Sequence, residues 1–283
     1  MKKKSVMIVL SLVLGATMLC ATAFANISSS SGYEAYKAAV KNLPQANSLT
    51  AQAAVSVSDN GNVVLNFNGT HKMDRVNETM SGISTIKTGD NIQSNEIYRQ
   101  DGQTILKNSN SDVYNVMEKG NRDKNFHKQP ANQEIPQEVE NIVDLLAANF
   151  DNDISLINNS DGSKVVTLQL ADSQITPLEN AVASLIAKNV NHENKHTNAV
   201  MTNLPQLVDE ISLTSVDLKA EINAQGQLTS QTAVIKINGK DASGQAHELV
   251  ININVNISSI NITVPDTIDL TGKQIETKTQ PHE

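Results

Sequence analysis

Cysteine is all but missing from this 283-residue chain, tryptophan is absent, and aromatic residues make up only 3% of it. The single Cys20 lies close to the amino terminus, so a disulfide framework and thiolate chemistry are both excluded from the rest of the chain. Scarce aromatics argue against sugar-binding and single-strand-binding surfaces, which rely on stacking platforms. Basic residues are also outnumbered, 22 against 30 acidic, for a net charge of −8. An acidic chain without a basic stripe is a poor partner for nucleic acid. With 13 glycines and 7 prolines there is no long low-complexity linker, and no break in composition divides the chain.

What is present begins with a secretory signal. Lys2, Lys3 and Lys4 form a positive n-region, Val6 to Leu19 is apolar, and Ala23-Phe24-Ala25 gives the small-x-small cleavage pattern. The apolar run is too short to span a bilayer as an anchor. Cleavage is expected after Ala25, leaving a single domain over 26–283 that is exported from the cytoplasm and has no transmembrane segment. Lipid anchoring at Cys20 would need a small residue before it, and bulky Leu19 stands there.

Hydrophobic periodicity then predicts a sheet-rich α+β chain. Tyr36, Val40 and Leu43 share one face of a short helix over Tyr33 to Leu43. From Leu49 the odd positions are apolar up to Val57, Asp59-Asn60-Gly61-Asn62 supplies hairpin chemistry, and Val63, Leu65 and Phe67 resume the alternation. Further strands are expected near Glu78 to Thr88, Ile92 to Gln100, Thr104 to Lys107 and Val113 to Met117. Two helices follow: one striped by Val139, Ile142, Val143 and Leu146, the other by Leu178, Ala181, Val182, Leu185 and Ile186. The second is capped by Thr176 with Pro177 at its first position, and between the two lies a hairpin turning at Asp161-Gly162. The last third is a meander in which Val216, Leu218, Ala220 and Ile222, then Ala233, Ile235 and Ile237, then Leu249, Ile251, Ile253, Val255 and Ile257 alternate with polar residues. A sheet with one apolar face must cover it.

This order of elements resembles the periplasmic lipoprotein-carrier fold, the half-barrel of the LolA and LolB group and of the mycobacterial LppX and LprG lipoproteins. The stretch from Val216 to Leu270 carries the resemblance most closely. It holds a strand, the turn Ala224-Gln225-Gly226-Gln227, a strand ending at Asp241-Ala242-Ser243-Gly244, the long strand Leu249 to Ile257, and Ile262-Thr263-Val264-Pro265-Asp266 in the place of a proline-marked last strand. The resemblance implies a curved antiparallel sheet covered on its concave face by helices. It also implies a non-catalytic carrier, without cofactor, for a lipid, another hydrophobic small molecule or a lipidated partner, possible partners including an envelope protein. The apolar positions that would line such a site are Val63, Leu65 and Phe67, Leu146, Val182 and Leu185 on the helices, and Leu218, Ile235, Ile251, Ile253 and Val255 in the last meander.

One motif points elsewhere. His192-Glu193-Asn194-Lys195-His196 matches H-E-x-x-H, in which two histidines four apart on a helix hold zinc and the glutamate handles the proton of a zinc-bound water. Its flanks are strongly polar, and no third ligand is obvious beyond Asp209 and Glu210. A zinc hydrolase centred on His192, Glu193 and His196 is therefore the alternative, with an envelope scaffold as a third reading. His71, His127, His247 and His282 are scattered and read as surface histidines.

Overall fold

The computed structural model describes residues 31–118, 153–175 and 204–278. The helices expected around Val139 to Leu146 and Leu178 to Ile186, the expected amino-terminal signal and His192 to His196 lie outside the described residues. So do His127 and His282.

The chain opens with helix α1 (Ser31–Asn42), followed by a short 3-10 turn, Leu43–Gln45. Glu34 in its first turn and Lys41 in its last complement the helix dipole. Six strands follow: β1 (Ser48–Asp59), β2 (Asn62–Asp74), β3 (Thr79–Thr88), β4 (Asn91–Gln100), β5 (Gln103–Asn108) and β6 (Val113–Glu118). Then come β7 (Ile154–Asn158) and β8 (Lys164–Ala171), the meander β9 (Asp209–Ile222), β10 (Leu228–Lys240) and β11 (Ala246–Ser258), and finally β12 (Gln274–Lys278). Among the described residues they form one open sheet of order β12-β6-β5-β4-β3-β2-β1-β11-β10-β9-β8-β7. Every neighbouring pair is antiparallel except β6 and β12, which run parallel.

The turn chemistry read from the sequence sets the hairpins. Asn60 and Gly61 take positive φ, 49° and 83°, which is the backbone a two-residue turn between β1 and β2 requires. The long pairing of β1 with β11 brings Ala53 opposite Val255, Val55 opposite Ile253 and Val57 opposite Ile251. Neighbours in register face the same side, so the apolar sets of β1, β2 and β8 to β11 merge into one aliphatic face. Its core holds Leu65, Phe67, Val166, Leu168, Leu218, Ala220, Ile253 and Val255, all buried.

Helix α1 lies against β7 to β10. Gly32 permits the approach: a Cβ there would stand 2.8 Å from Ile154 Cγ2. Tyr33, Tyr36 and Ala39 face inward, and the Tyr36 hydroxyl donates to Gln231 Oε1 on β10 at 2.6 Å, with both side chains wholly buried.

Two local expectations change. Val57 pairs with Leu65 but Ser58 pairs with Val63, so Val64 is a bulge residue. That extra residue moves Val63 to the opposite, polar face, where it is 59% exposed. The stretch Ile262 to Asp266 is not a strand of the sheet. It belongs to a strap, residues 259–273, that leaves β11 and crosses the polar face. Thr263 meets Ser48 and Thr50, Asp266 meets Lys72 and Ser81, and Ile268 exchanges two hydrogen bonds with the Gln100 side chain. Ile105 and Val116, cross-strand partners on that face between Gln100 and β12, are 1% and 4% exposed. The strap then delivers β12 beside β6.

The hydrogen bond from Lys72 holds the Asp266 carboxyl below the usual carboxylate range. A carboxyl depressed on folding contributes stability above its unfolded pKa of about 3.9, and that contribution disappears as pH falls through the lower folded value. Asp161, Asp241 and Asp269 behave alike, their carboxylates accepting from Ser163, Ser243 and Thr271 in tight turns. Acid titration followed by circular dichroism is expected to show stability falling below about pH 4, with a shallower fall in Asp266→Asn. Because the Lys72–Asp266 pair is partly exposed, Asp266→Asn should cost at most about 1 kcal/mol at neutral pH. Ile253→Ala, in the aliphatic core, should cost about 2–5 kcal/mol in denaturant unfolding.

Candidate functional site

The broadest chemically uniform surface is the aliphatic face. Of the residues expected to line a hydrophobic site, Leu65, Phe67, Leu218, Ile253 and Val255 are buried on it, and Ile235 and Ile251 are partly buried beside them. Val63 stands on the other face, displaced by the bulge at Val64. Leu146, Val182 and Leu185 lie outside the described residues, as do the histidines of the zinc alternative, His192 and His196. Among the described residues no group of three or more His, Cys, Asp or Glu side chains is arranged to hold a metal, and no helix is long and apolar enough to cross a membrane.

The face changes character across the sheet. From β7 to β2 it is almost wholly Val, Leu, Ile and Ala. On β3 to β5 the same face interleaves Thr88, Ser84, Asn95 and Asn108 with Ile86, Ile97 and Leu106. Ser84, Thr88 and Asn95 are buried, and Asn95 Oδ1 accepts from Asn108 Nδ2 at 2.8 Å.

His71 sits where the two halves meet. It is paired with Ala51 on β1 and Gly82 on β3, in phase with Leu65 and Phe67. The expectation of a surface histidine is therefore corrected: continuing the odd-numbered alternation of β2 past Phe67 and Gly69 turns it onto the aliphatic face. Its ring lies over two glycines. A Cβ on Gly82 would come within 2.1 Å of Nδ1, and one on Gly69 within 3.5 Å of Nε2. Both ring nitrogens are shut off from solvent, and neither has a hydrogen-bond partner among the described residues. Burial pushes the imidazole pKa down, towards the neutral ring. Each such orphaned group costs about 1–3 kcal/mol, so the sequence maintains a destabilising feature here. Gln231 shows a milder form, since Tyr36 satisfies its Oε1 while Nε2 has no partner among the described residues.

His247 is likewise no surface residue, at 8% exposure. Its Nδ1 meets both carboxylate oxygens of Asp59 at 3.0 and 2.9 Å, and its Nε2 faces Asp241 Oδ2 at 3.6 Å. This cluster ties the ends of β1 and β11 to the turn after β10. The Ser243 hydroxyl donates to Asp241 Oδ1 at 2.7 Å and so belongs to the same turn, and the cluster as a whole has the geometry of a tether. Tyr98 is no readier for proton transfer: burial first, then its hydrogen bond to Glu96, pushes its pKa up to about 12.

The polar face carries a shallow groove of about 390 Å³ where β2, β1, β11 and β10 run side by side. Ser56, Asn66, Asn68, Asn252, Asn254 and Thr232 line it. They are the polar partners of the alternation that puts aliphatic residues on the reverse side.

No family model matches the chain, and no curated protein matches it. Among solved structures it is similar to an uncharacterized conserved protein from Thermus thermophilus, with a TM-score of 0.29 and 7% identity over 88% of this chain and 100% of that one. It is also similar to a LolA superfamily protein from Nitrosomonas europaea, with a TM-score of 0.22 and 13% identity over 85% of this chain and 96% of that one. A third likeness is to MucB, solved in complex with MucA(peri), with a TM-score of 0.23 and 10% identity over 80% of this chain and 98% of that one. These are likenesses of architecture at low superposition scores, and they bring no residue of this chain into a site.

Proposed function

We propose that the chain is an exported, non-catalytic carrier that takes a lipid or another hydrophobic guest on the aliphatic face of its sheet. The observation that carries the reading is the width of that face. It runs through seven adjacent strands, β7 to β2, or roughly 29 Å at the usual strand spacing. Helix α1, with 12 residues, is about 18 Å long and lies over β7 to β10. The strands β11, β1 and β2 beyond it present Ile253, Val255, Val55, Leu65 and Phe67. A sheet bent into a half-barrel with helices over its concave side would place these residues around an acyl chain. They are buried within the chain itself, so a guest enters by exchanging apolar contacts rather than by filling an open mouth. The lysine-led apolar leader and its Ala23-Phe24-Ala25 site support export.

Native mass spectrometry of protein purified from its own host, followed by organic extraction, is expected to yield a co-purifying lipid. Uptake of a fluorescent fatty acid should saturate near one per chain. Recovery of no lipid together with no uptake would remove the carrier reading. Purified without chelator, the protein is expected to carry no stoichiometric zinc. One zinc per chain by elemental analysis would transfer the proposal to a hydrolase built on His192, Glu193 and His196.

A further inference from the structure

We infer that His71 is the polar anchor for the head of a single-chain amphiphile, a neutral group such as a hydroxyl that both donates and accepts a hydrogen bond. The hydrocarbon tail then lies across β1, β11 and β10. The inference rests on the carrier reading and specifies its guest.

Three observations meet at this residue. The first is position. His71 stands at the boundary between the aliphatic strands and those that interleave Ser84, Thr88 and Asn95, which is where the head of an amphiphile lying on the face would fall. From β2 to β10 is three strand spacings, about 14 Å, within reach of a long alkyl chain.

The second is unmet bonding capacity. A neutral imidazole offers one donor and one acceptor, and here both are buried without a partner among the described residues. A hydroxyl carries the complementary pair. A pure hydrocarbon satisfies neither nitrogen.

The third is the seat. Gly82 leaves room for the ring on the sheet, and any side chain there would collide with it. No hydrogen bond to a described residue fixes the ring in that seat. A core residue placed for packing alone would be apolar at this position. Local rules broken without structural compensation mark functional positions.

The test compares the full exported chain with His71→Leu and His71→Gln. Displacement of bound diphenylhexatriene by hexadecanol and by hexadecane gives the selectivity for alcohol over alkane, and thermal unfolding of the unliganded protein gives stability. In His71→Leu the melting temperature is expected to rise by a few degrees, because two orphaned groups disappear, while the alcohol selectivity falls about tenfold, the loss of one or two buried hydrogen bonds. His71→Gln keeps a donor and an acceptor and should retain the selectivity within about threefold. A lower melting temperature in His71→Leu would mean that the ring is already satisfied, and would overturn the inference. So would unchanged selectivity while dye and alkane still bind, an outcome that leaves the carrier reading standing. If the wild-type chain binds neither dye, alkane nor alcohol, the carrier reading falls and the anchor with it.

Discussion

The architecture depends on phase. Side chains in a strand alternate sides with a period of two, so adjacent strands build a common apolar surface only if their pairing keeps the same parity throughout. From β1 through β11 to β10 it does so over ten or more consecutive partners, and β9 and β8 continue it. Where parity would fail, a bulge restores it. The irregular step between Leu228 and Ser230 lets both Leu228 and Gln231 point inward, each wholly buried. A slip of one residue anywhere in the central strands would turn Ile253 and Val255 to water and Asn252 and Asn254 into the core. Such an exchange is heavily penalised on both faces.

Against that uniform surface the few polar residues stand out as placed. Gln231 docks the helix through Tyr36, which gives a non-directional hydrophobic contact a single orientation. His247 ties strand ends through Asp59. His71 does neither, and it stands where the aliphatic strands give way to mixed ones. A buried polar group that neither docks nor tethers is a liability to the unliganded fold, and sites that recognise ligands commonly carry such liabilities.

Much of the sheet was legible because its signals are local. Asn60-Gly61, Asp101-Gly102, Asp161-Gly162 and the turn at Gly226 each fall between alternating runs, and each is a turn. The candidate lining of β2 and β9 to β11 was legible for the same reason, Val63 excepted. A bulge inserts one residue without altering composition, so a period-two pattern passes over Val64 unbroken. The strap misled because Ile262 and Val264 alternate with Thr263 and Pro265 as strand residues would, although here Thr263 and Pro265 face the sheet and the two aliphatic residues face solvent. β12, with Gln274, Glu276 and Lys278, has no apolar rhythm and is fixed by its parallel partner alone. His71 and His247 lay in phase with Phe67 and Leu249, a signal that the residue type obscured.

The strap also sets an order of events. β6 is synthesised in the first half of the chain, yet its outer edge is occupied by the last strand of the described residues, and β1 awaits β11 in the same way. Neither edge can be closed until the carboxy-terminal residues have emerged, and contacts so distant along the chain form slowly. Through translation the amino-terminal meander β1 to β6 therefore presents two open strand borders, the condition in which sheets recruit foreign strands. A chain built this way needs escort before it is complete, and loss of the strap with β12 would leave a nascent protein exposed to self-association before it could fold.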